Sequence, residues 1–229
     1  MFQSIINSAT IKNALFHFRT FGFRSMVRKT IEYLEFTQKY NKWQKSHQPS
    51  ADTLYKQKNF TFSYTPVISI LVPVYRTSDV FLRQLLDSVI GQTYSNWELC
   101  IADGSMDSTY SYVQDIIHDY QKYHPNIRYK LLKENNGISG NTNEALSIAS
   151  GEYISLLDHD DILAPDALFE VVKALNNNPD NDVIYTDEDK VNLDLTSFYD
   201  PNFKPDFNLD YLRSCTYITH FYIVKRNLA

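Results

Sequence analysis

From residue 67 onward, short apolar runs rich in β-branched residues alternate with segments whose apolar residues recur at helical spacing. The apolar runs are 67–72, 97–102, 127–132, 153–157 and 183–185, and the helical segments between them are 80–90, 107–123, 139–149 and 165–175. Apolar runs of this length suit strands that are buried on both faces. Their alternation with helices predicts an α/β domain with a mainly parallel sheet and helices on both faces.

The residues before this alternation follow a different pattern. Residues 1–48 carry apolar side chains at near-helical spacing, and Gly22 is expected to separate two helices. Residues 49–66 are interpreted as a linker. The sequence therefore predicts an N-terminal helical segment (1–48), a linker (49–66) and a sheet domain (67–229).

Charge is distributed unevenly between these parts. Residues 1–48 hold eight Lys or Arg and two Glu, a net charge of +6, so the rest of the chain carries −11 within a total of −5. A basic helical segment can pack on the sheet domain, or it can contact an anionic lipid surface or an acidic partner. The sequence leaves both interpretations open.

The sequence argues against several classes of protein. Its two cysteines, Cys100 and Cys215, provide neither a disulfide framework nor a zinc cluster. No apolar stretch approaches the roughly 20 residues that a membrane span needs. The N-terminus lacks the pattern of a signal peptide. We therefore expect a cytoplasmic protein, able to lie peripherally at the inner face of the membrane, with no nucleic-acid partner.

Polar, turn-forming residues follow every predicted strand. In parallel α/β sheets, ligands bind at the carboxyl ends of the strands. Four carboxylates are predicted to lie at this edge: Asp103, Asp158, Asp160 and Asp187. Their number exceeds what solubility requires, so the edge is predicted to be a binding site.

The sharpest of these features is the run Asp158-His159-Asp160-Asp161 after the fourth predicted strand. In an extended turn, Asp158 and Asp160 can face the same way, and carboxylate oxygens are the ligands that Mg²⁺ and Mn²⁺ prefer. The alternative is that Asp160 or Asp161 caps the helix predicted to begin at Pro165. The position of the run after a buried strand favours a site in which Asp158 and Asp160 hold a metal and a diphosphate.

Two other loops carry weaker signals. Asp103 could accept an N–H from a nucleotide base, although a plain turn would also explain it. Gly137 and Gly140 flank a predicted helix start, where free backbone N–H groups can help to bind an anion. A helix cap is the alternative there.

Taken together, these motifs resemble family 2 of the inverting glycosyltransferases, which have the Rossmann-like A-type fold. The resemblance covers about residues 67–229, with motifs in the family's order and spacing. The motifs are Ile70-Leu71-Val72-Pro73-Val74-Tyr75, Ser88-Val89-Ile90-Gly91-Gln92-Thr93-Tyr94, Ala102-Asp103-Gly104-Ser105, Asn136-Gly137-Ile138-Ser139 with Asn143, and Gly151-Glu152-Tyr153-Ile154-Ser155-Leu156-Leu157-Asp158-His159-Asp160-Asp161.

The resemblance implies a nucleotide-sugar site with assigned roles. Asp103 would accept from a uracil or thymine ring, and Asp158 and Asp160 would form the Asp-X-Asp motif on the ribose and the metal-bound diphosphate. Asp161 would support them or touch the sugar. The predicted binding residues are Pro73, Val74 and Tyr75 beside the base and ribose, with Asp103, Gly137, Asn143, Asp158, His159, Asp160 and Asp161.

The sequence departs from the family pattern in three places. Ala102 stands where the family has a first carboxylate, and Thr142 stands where an Arg often precedes the motif Asn. No residue matches the family's general base. Asp187 and Asp189 are the nearest candidates, and the chain is expected to be a C-terminally truncated domain.

The expected reaction is an inverting transfer from a UDP- or dTDP-linked sugar, with Mn²⁺ or Mg²⁺, onto a glycan or lipid-linked acceptor. The segments at 185–190, 203–206 and 217–220 resemble the bacterial branch that builds surface polysaccharides, including rhamnosyltransferase-like members. The alternative function is a catalytically incomplete nucleotide-sugar-binding module with a basic helical docking arm.

Overall fold

The computed structural model describes residues 8–229, with side chains described at residues 12 and 14–229. The first seven residues of the predicted helical segment lie outside the described part. The helices are α1 (Ser8–His47), α2 (Ala51–Lys58), α3 (Asp79–Ile90), α4 (Tyr112–Gln121), α5 (Gly137–Ser147), α6 (Ala167–Asn177) and α7 (Leu209–Ser214). The strands are β1 (Ile68–Val74), β2 (Trp97–Asp103), β3 (Ile127–Leu131), β4 (Tyr153–Leu156), β5 (Val183–Tyr185), β6 (Glu188–Val191), β7 (Phe198–Asn202) and β8 (Tyr222–Lys225).

The chain forms two compact units. One contains the N-terminal segment through Gln48 together with Asp187–Asn208, and the other contains Pro49–Thr186 together with Leu209–Ala229. The sequence placed 187–208 with the sheet domain, so the structure groups this segment differently. The predicted linker 49–66 also contains a helix, α2, which Ser50 caps by accepting from the Thr53 N–H at 3.1 Å.

The larger unit is built on a six-stranded sheet with the order β3-β2-β1-β4-β8-β5. The pairs β1–β2, β1–β4 and β2–β3 are parallel, whereas β8 runs antiparallel to both of its neighbours, β4 and β5. The prediction of an α/β fold with a mainly parallel sheet is therefore confirmed.

Helices cover both faces of this sheet, as the sequence predicted. Alternate residues of a strand point to opposite faces, and Ile70 and Val72 of β1 pack in one cluster with residues of α3, α4 and α6. Leu71 lies in a second cluster with Ala145 of α5. All three β1 side chains are fully buried, because each face of the strand is covered.

A buried carboxylate ties the amino ends of the strands together. Glu98 of β2 accepts from the Ser69 hydroxyl at 2.6 Å and from the Gly151 N–H at 2.9 Å. It also contacts Arg128 at 2.7 Å and accepts from the Ser150 hydroxyl at 3.0 Å. These bonds fix the turn that leads into β4, and β4 ends directly before the acidic run.

This carboxylate makes the stability of the sheet depend on pH. Burial by itself raises the pKa of the Glu98 carboxyl, but hydrogen bonds from Ser69, Ser150 and Gly151 outweigh burial and hold the pKa below its ordinary value of 4.5. A group whose pKa is lower in the folded state stabilises the fold above its unfolded pKa, and that contribution is lost as pH falls through the folded pKa. We expect urea titrations to show a free energy of unfolding that decreases below about pH 4.5, and a smaller decrease in Glu98→Gln. An identical pH profile in the two proteins would contradict this role.

The smaller unit joins α1 to the β6–β7 hairpin. Asn41 donates to the Phe198 carbonyl at 2.5 Å and accepts from the Phe198 N–H at 2.9 Å. Thr37 and Tyr40 of α1 are also buried. Gly22 has a non-helical backbone (φ 79°) inside α1, which confirms the predicted break. Within residues 8–229, no helix has the length and apolar character needed to cross a membrane.

Candidate functional site

The carboxyl ends of β1, β2 and β4 lie side by side and bring three sequence motifs together. Val74 of β1 is paired with Asp103 of β2, and Leu71 is paired with Leu156 of β4. The Leu157 N–H donates to the Leu71 carbonyl at 3.1 Å, which extends the pairing by one residue. Asp158 follows at once, so the acidic run begins at the same edge as Asp103.

The structure groups Asp158 with Asp161 and His220. One potential ligand atom from each of these three residues lies within 4.8 Å of the other two. The Nε2 atom of His220 is 3.8 Å from a carboxylate oxygen of Asp158. Asp160, which the sequence paired with Asp158, is exposed and outside this group. The side chains at 158 and 161 converge because the chain turns here, with the Asp161 N–H donating to the Asp158 carbonyl at 3.1 Å.

His220 reaches this edge because β8 is antiparallel. Ser155 of β4 is paired with Ile223 of β8, so the residues that precede β8 lie beside the residues that follow β4. At the other edge of β8, the Thr186 N–H donates to the Phe221 carbonyl at 3.0 Å. His220 is therefore fixed from both neighbouring strands. His220 was not among the residues predicted for this site, although it belongs to the 217–220 segment.

The donor set formed by Asp158, Asp161 and His220 suits a divalent cation. Two carboxylates supply the hard oxygen ligands that Mn²⁺ and Mg²⁺ prefer. The nitrogen of His220 favours Mn²⁺ over Mg²⁺, because Mg²⁺ in proteins is held by oxygen ligands. Because all three side chains are at least partly exposed, a metal bound by them would keep coordination positions for a phosphate.

The loop after the acidic run is held by residues of the 88–94 motif. Gln92 donates to the Ala164 carbonyl at 2.7 Å and accepts from the Leu168 N–H at 3.0 Å. The Ser88 hydroxyl accepts from the Leu163 N–H at 3.2 Å. The first turn of α6 is thus capped by Gln92. This contact argues against the alternative interpretation of the acidic run as a helix cap.

His159 is not part of the group formed by Asp158, Asp161 and His220. Its Nδ1 atom is buried without a hydrogen-bond partner among the described residues. Its carbonyl lies 3.5 Å from the Thr77 hydroxyl, which can donate to it. His159 therefore connects the acidic run to the loop after β1, and no contact in the described part of the chain assigns it to a ligand.

Asp103 is buried at the end of β2, and each of its oxygens already accepts a hydrogen bond. The Ser105 N–H donates at 2.8 Å and the Tyr129 hydroxyl at 3.0 Å. Burial and the neighbouring Asp103 carboxylate raise the pKa of Tyr129, which keeps its hydroxyl protonated as a donor. A carboxylate can accept about four hydrogen bonds, so Asp103 retains capacity for a base N–H.

The loop after β1 presents one aromatic side chain. Pro73 and Val74 are buried within the strand, whereas Tyr75 is exposed. Arg76 adopts the left-handed region (φ 54°), and its N–H donates to the Ser105 hydroxyl at 2.8 Å. Its guanidinium lies 5.0 Å from the centroid of the Tyr75 ring. Of the three residues predicted beside the base, Tyr75 alone offers an exposed side chain.

The loop after β3 is closed by Asn141, which sequence reasoning missed. Asn141 is buried, accepts from the Asn136 N–H at 3.0 Å and donates to Asn135 at 2.9 Å. The Gly137 N–H also donates to Asn135, at 3.1 Å, so it is already used within the loop. Asn143, the predicted motif residue, is exposed on α5. The position of Asn141, one turn after the start of α5, could have indicated a polar residue that closes the loop. Its burial, however, depends on contacts with Asn135 and Asn136 across the loop.

The two carboxylates considered as general bases belong to the smaller unit, and both have partners. The Tyr40 hydroxyl donates to Asp189 at 2.5 Å. Burial raises the pKa of Asp189, and this hydrogen bond opposes that effect. Asp187 accepts from the Lys204 N–H at 2.7 Å. The contact of Asp189 joins 187–208 to α1, whereas that of Asp187 lies within 187–208.

Comparison of the chain with models of protein families identifies its family. Residues 69–228 match the model of glycosyl transferase family 2, and this range covers more than half of the chain. The chain belongs to glycosyl transferase family 2. The resemblance inferred from the sequence motifs is therefore confirmed at the level of the family.

Curated relatives in this family include proteins of bacterial origin. The chain is 43% identical over 155 residues to the uncharacterized protein y4gI of Sinorhizobium fredii, over 68% of this chain and 17% of the relative. It is 33% identical over 188 residues to the O-antigen biosynthesis protein RfbC of Myxococcus xanthus, over 82% of this chain and 14% of the relative. The chain thus spans less than a fifth of the length of these relatives.

One solved structure that the comparison finds similar to this chain is that of S. aureus TarS 1-349 in complex with UDP. The chain is 26% identical to it with a TM-score of 0.46, and the match covers 52% of this chain and 34% of that one.

Proposed function

We propose that this chain is the donor-binding domain of a glycosyltransferase that uses a UDP- or dTDP-linked sugar and a divalent metal. The observation that carries the proposal is the group formed by Asp158, Asp161 and His220 at the carboxyl edge of the sheet. In open α/β sheets this edge is where ligands bind. Membership of glycosyl transferase family 2 supports glycosyl transfer as the class of reaction.

In this proposal the metal is Mn²⁺ or, less favourably, Mg²⁺, held by these three side chains. When bound, the metal neutralises the charge that develops on the leaving nucleotide diphosphate. Asp160 is exposed beside the group and is available to the ribose or to the sugar. Asp103 accepts from the base, and Tyr75 provides a surface against which the base can lie.

The transfer is proposed to invert the anomeric carbon in a single displacement onto a glycan or a lipid-linked acceptor. The name of the Myxococcus xanthus relative, O-antigen biosynthesis protein, supports a role in a bacterial surface polysaccharide. The transferred sugar is proposed to be a hexose or rhamnose. A screen of nucleotide-sugars with Mn²⁺ would identify it through the donor that is hydrolysed or transferred.

A second candidate function is a module that binds the nucleotide-sugar without transferring the sugar. The contacts of Asp187 and Asp189 favour it, because both carboxylates bind partners within the smaller unit. Sugar transfer needs a general base that removes the proton of the acceptor hydroxyl, and neither carboxylate is placed for that role by its contacts. Release of nucleotide diphosphate in the presence of acceptor would support the transferase, and donor binding without turnover would support the module.

The proposed donor site can be tested by titration calorimetry of the whole chain. We expect UDP or dTDP to bind in the presence of Mn²⁺ and to bind at least about tenfold more weakly after chelation of the metal, because the metal neutralises the diphosphate. UMP and dTMP, which have the same bases but a single phosphate, serve as the matched ligand controls. Binding of neither nucleotide in the presence of Mn²⁺ would contradict the proposal.

A further inference from the structure

The first half of α1 exposes an unusual amount of apolar surface. Phe16, Phe21 and Phe23 are 58%, 61% and 63% exposed, and Leu15 and Phe18 are each 47% exposed. Soluble proteins seldom expose contiguous apolar patches of this kind unless the patch contacts a partner or a membrane. Leu15, Phe18 and Phe21 are three residues apart and therefore share one face of the helix before Gly22. The ring of Phe16 lies 6.3 Å from that of Phe21.

The second half of α1 differs because it packs against the hairpin of its own unit. Tyr40 is buried there, and Asn41 exchanges two hydrogen bonds with Phe198. Phe36 and Trp43 are also exposed in the second half, but exposed apolar side chains are more concentrated in residues 12–31.

The same segment is strongly basic. Residues 12–31 contain five Lys or Arg and no Asp or Glu. Arg28 and Lys29 contact Glu32, just beyond the segment, at 3.6 Å and 2.8 Å. The other three are Lys12, Arg19 and Arg24, and they lie between or beside the exposed aromatic residues. Helical segments that lie in the interface of an anionic membrane combine Lys and Arg on one face with aromatic and aliphatic side chains on the other. Before Gly22, Lys12 and Arg19 lie on a different side of the helix from Leu15, Phe18 and Phe21.

We propose that residues 12–31 dock this chain onto an anionic lipid surface. The Phe side chains would enter the boundary between headgroups and acyl chains, and the Lys and Arg side chains would contact lipid phosphates. A second copy of the chain fits this surface poorly, because five cations on one segment would repel five identical cations on the other. Charge complementarity therefore favours a lipid bilayer over self-association.

Co-sedimentation of the whole chain with vesicles, without metal or nucleotide, tests this proposal separately from donor binding. We expect binding to vesicles of equal parts phosphatidylcholine and phosphatidylglycerol, with much weaker binding to phosphatidylcholine alone and a strong decrease at high salt. Vesicle binding that is equal for the two compositions would overturn the electrostatic part of the proposal.

Paired variants test the apolar and basic side chains separately. Phe18→Ser with Phe23→Ser is expected to weaken vesicle binding at least about tenfold, whereas Tyr123→Ser, at a site 82% exposed on the other unit, should leave it unchanged. Arg19→Gln with Arg24→Gln should weaken binding about fivefold per charge. The control Lys39→Gln with Lys42→Gln removes the same charge from the second half of α1 and should have a smaller effect.

Light scattering can show whether a second copy of the chain, instead of a membrane, binds residues 12–31. Light scattering should show a monomer at the concentrations used for sedimentation. A dimer that Phe18→Ser with Phe23→Ser dissociates, together with absence of vesicle binding, would overturn the proposal and assign the surface to a second copy.

Discussion

Replacing Asp158 with Asn is expected to abolish the metal-dependent part of nucleotide binding, so that UDP or dTDP binds at least about tenfold more weakly in the presence of Mn²⁺, as it does after chelation. Asn keeps the size of the side chain but removes the negative charge that a divalent cation requires. Because Asp158 is partly exposed and lies after the end of β4, the substitution should leave the fold intact. Thermal unfolding of the variant checks that point, and calorimetry checks the binding.

Two further variants decide which metal ligands the site uses. The structure groups Asp161 and His220 with Asp158, whereas the sequence motif paired Asp158 with Asp160. We therefore expect Asp161→Asn to reduce Mn²⁺ affinity by at least about tenfold and Asp160→Asn to reduce it much less. The exposed Asp115 provides the control, since Asp115→Asn changes charge by the same amount on α4. The reverse order of effects at 160 and 161 would show that the sequence motif describes the site better.

The second large effect is expected at Gly151, which lies at the opposite end of β4 from the metal group. A Cβ at this position would be 2.5 Å from the Ser69 hydroxyl oxygen and 2.7 Å from the Val67 carbonyl. Both distances are far below van der Waals contact, and the carbonyl belongs to the backbone. We expect Gly151→Ala to lower the free energy of unfolding by about 3 kcal/mol, as overpacking also breaks hydrogen bonds to Glu98.

A double variant separates the two contacts at Gly151. Ser69→Ala removes the nearest atom but leaves the Val67 carbonyl in place. Gly151→Ala with Ser69→Ala should therefore recover little of the lost stability in urea titrations. Full recovery would show that the hydroxyl was the sole obstacle, and an unchanged free energy of unfolding in Gly151→Ala would contradict the prediction altogether. Gly151 belongs to a family motif, yet its role here is to let the backbone approach β1.

The strand positions were predictable because each is encoded locally. The runs at 67–72 and 97–102 correspond to β1 and β2 with shifts of one or two residues, and the run at 183–185 coincides with β5. A short apolar, β-branched segment between polar turns has few alternatives to a buried strand. The parallel order followed from the helices between the strands, since a helical crossover returns the chain to the same end of the sheet.

The hairpin formed by β6 and β7 was not predictable in the same way. Its strands carry mixed polar and apolar residues, so they give no clear period of two. The segment is defined by contacts with a distant part of the chain, such as the hydrogen bond from Tyr40 to Asp189. Helix α2 was missed for a related reason, because its eight residues are short and polar.

The sequence by itself determined the family, the α/β class and the place of the acidic run after a buried strand, because motifs and hydrophobic periods are local properties of the chain. Only the tertiary structure decided that Asp161 and His220 join Asp158. The residues of β8 do not encode the direction of the strand. The antiparallel pairing of β8 with β4 and β5 places the residues before β8, including His220, beside the acidic turn. Strand direction is fixed by packing between distant segments of the chain.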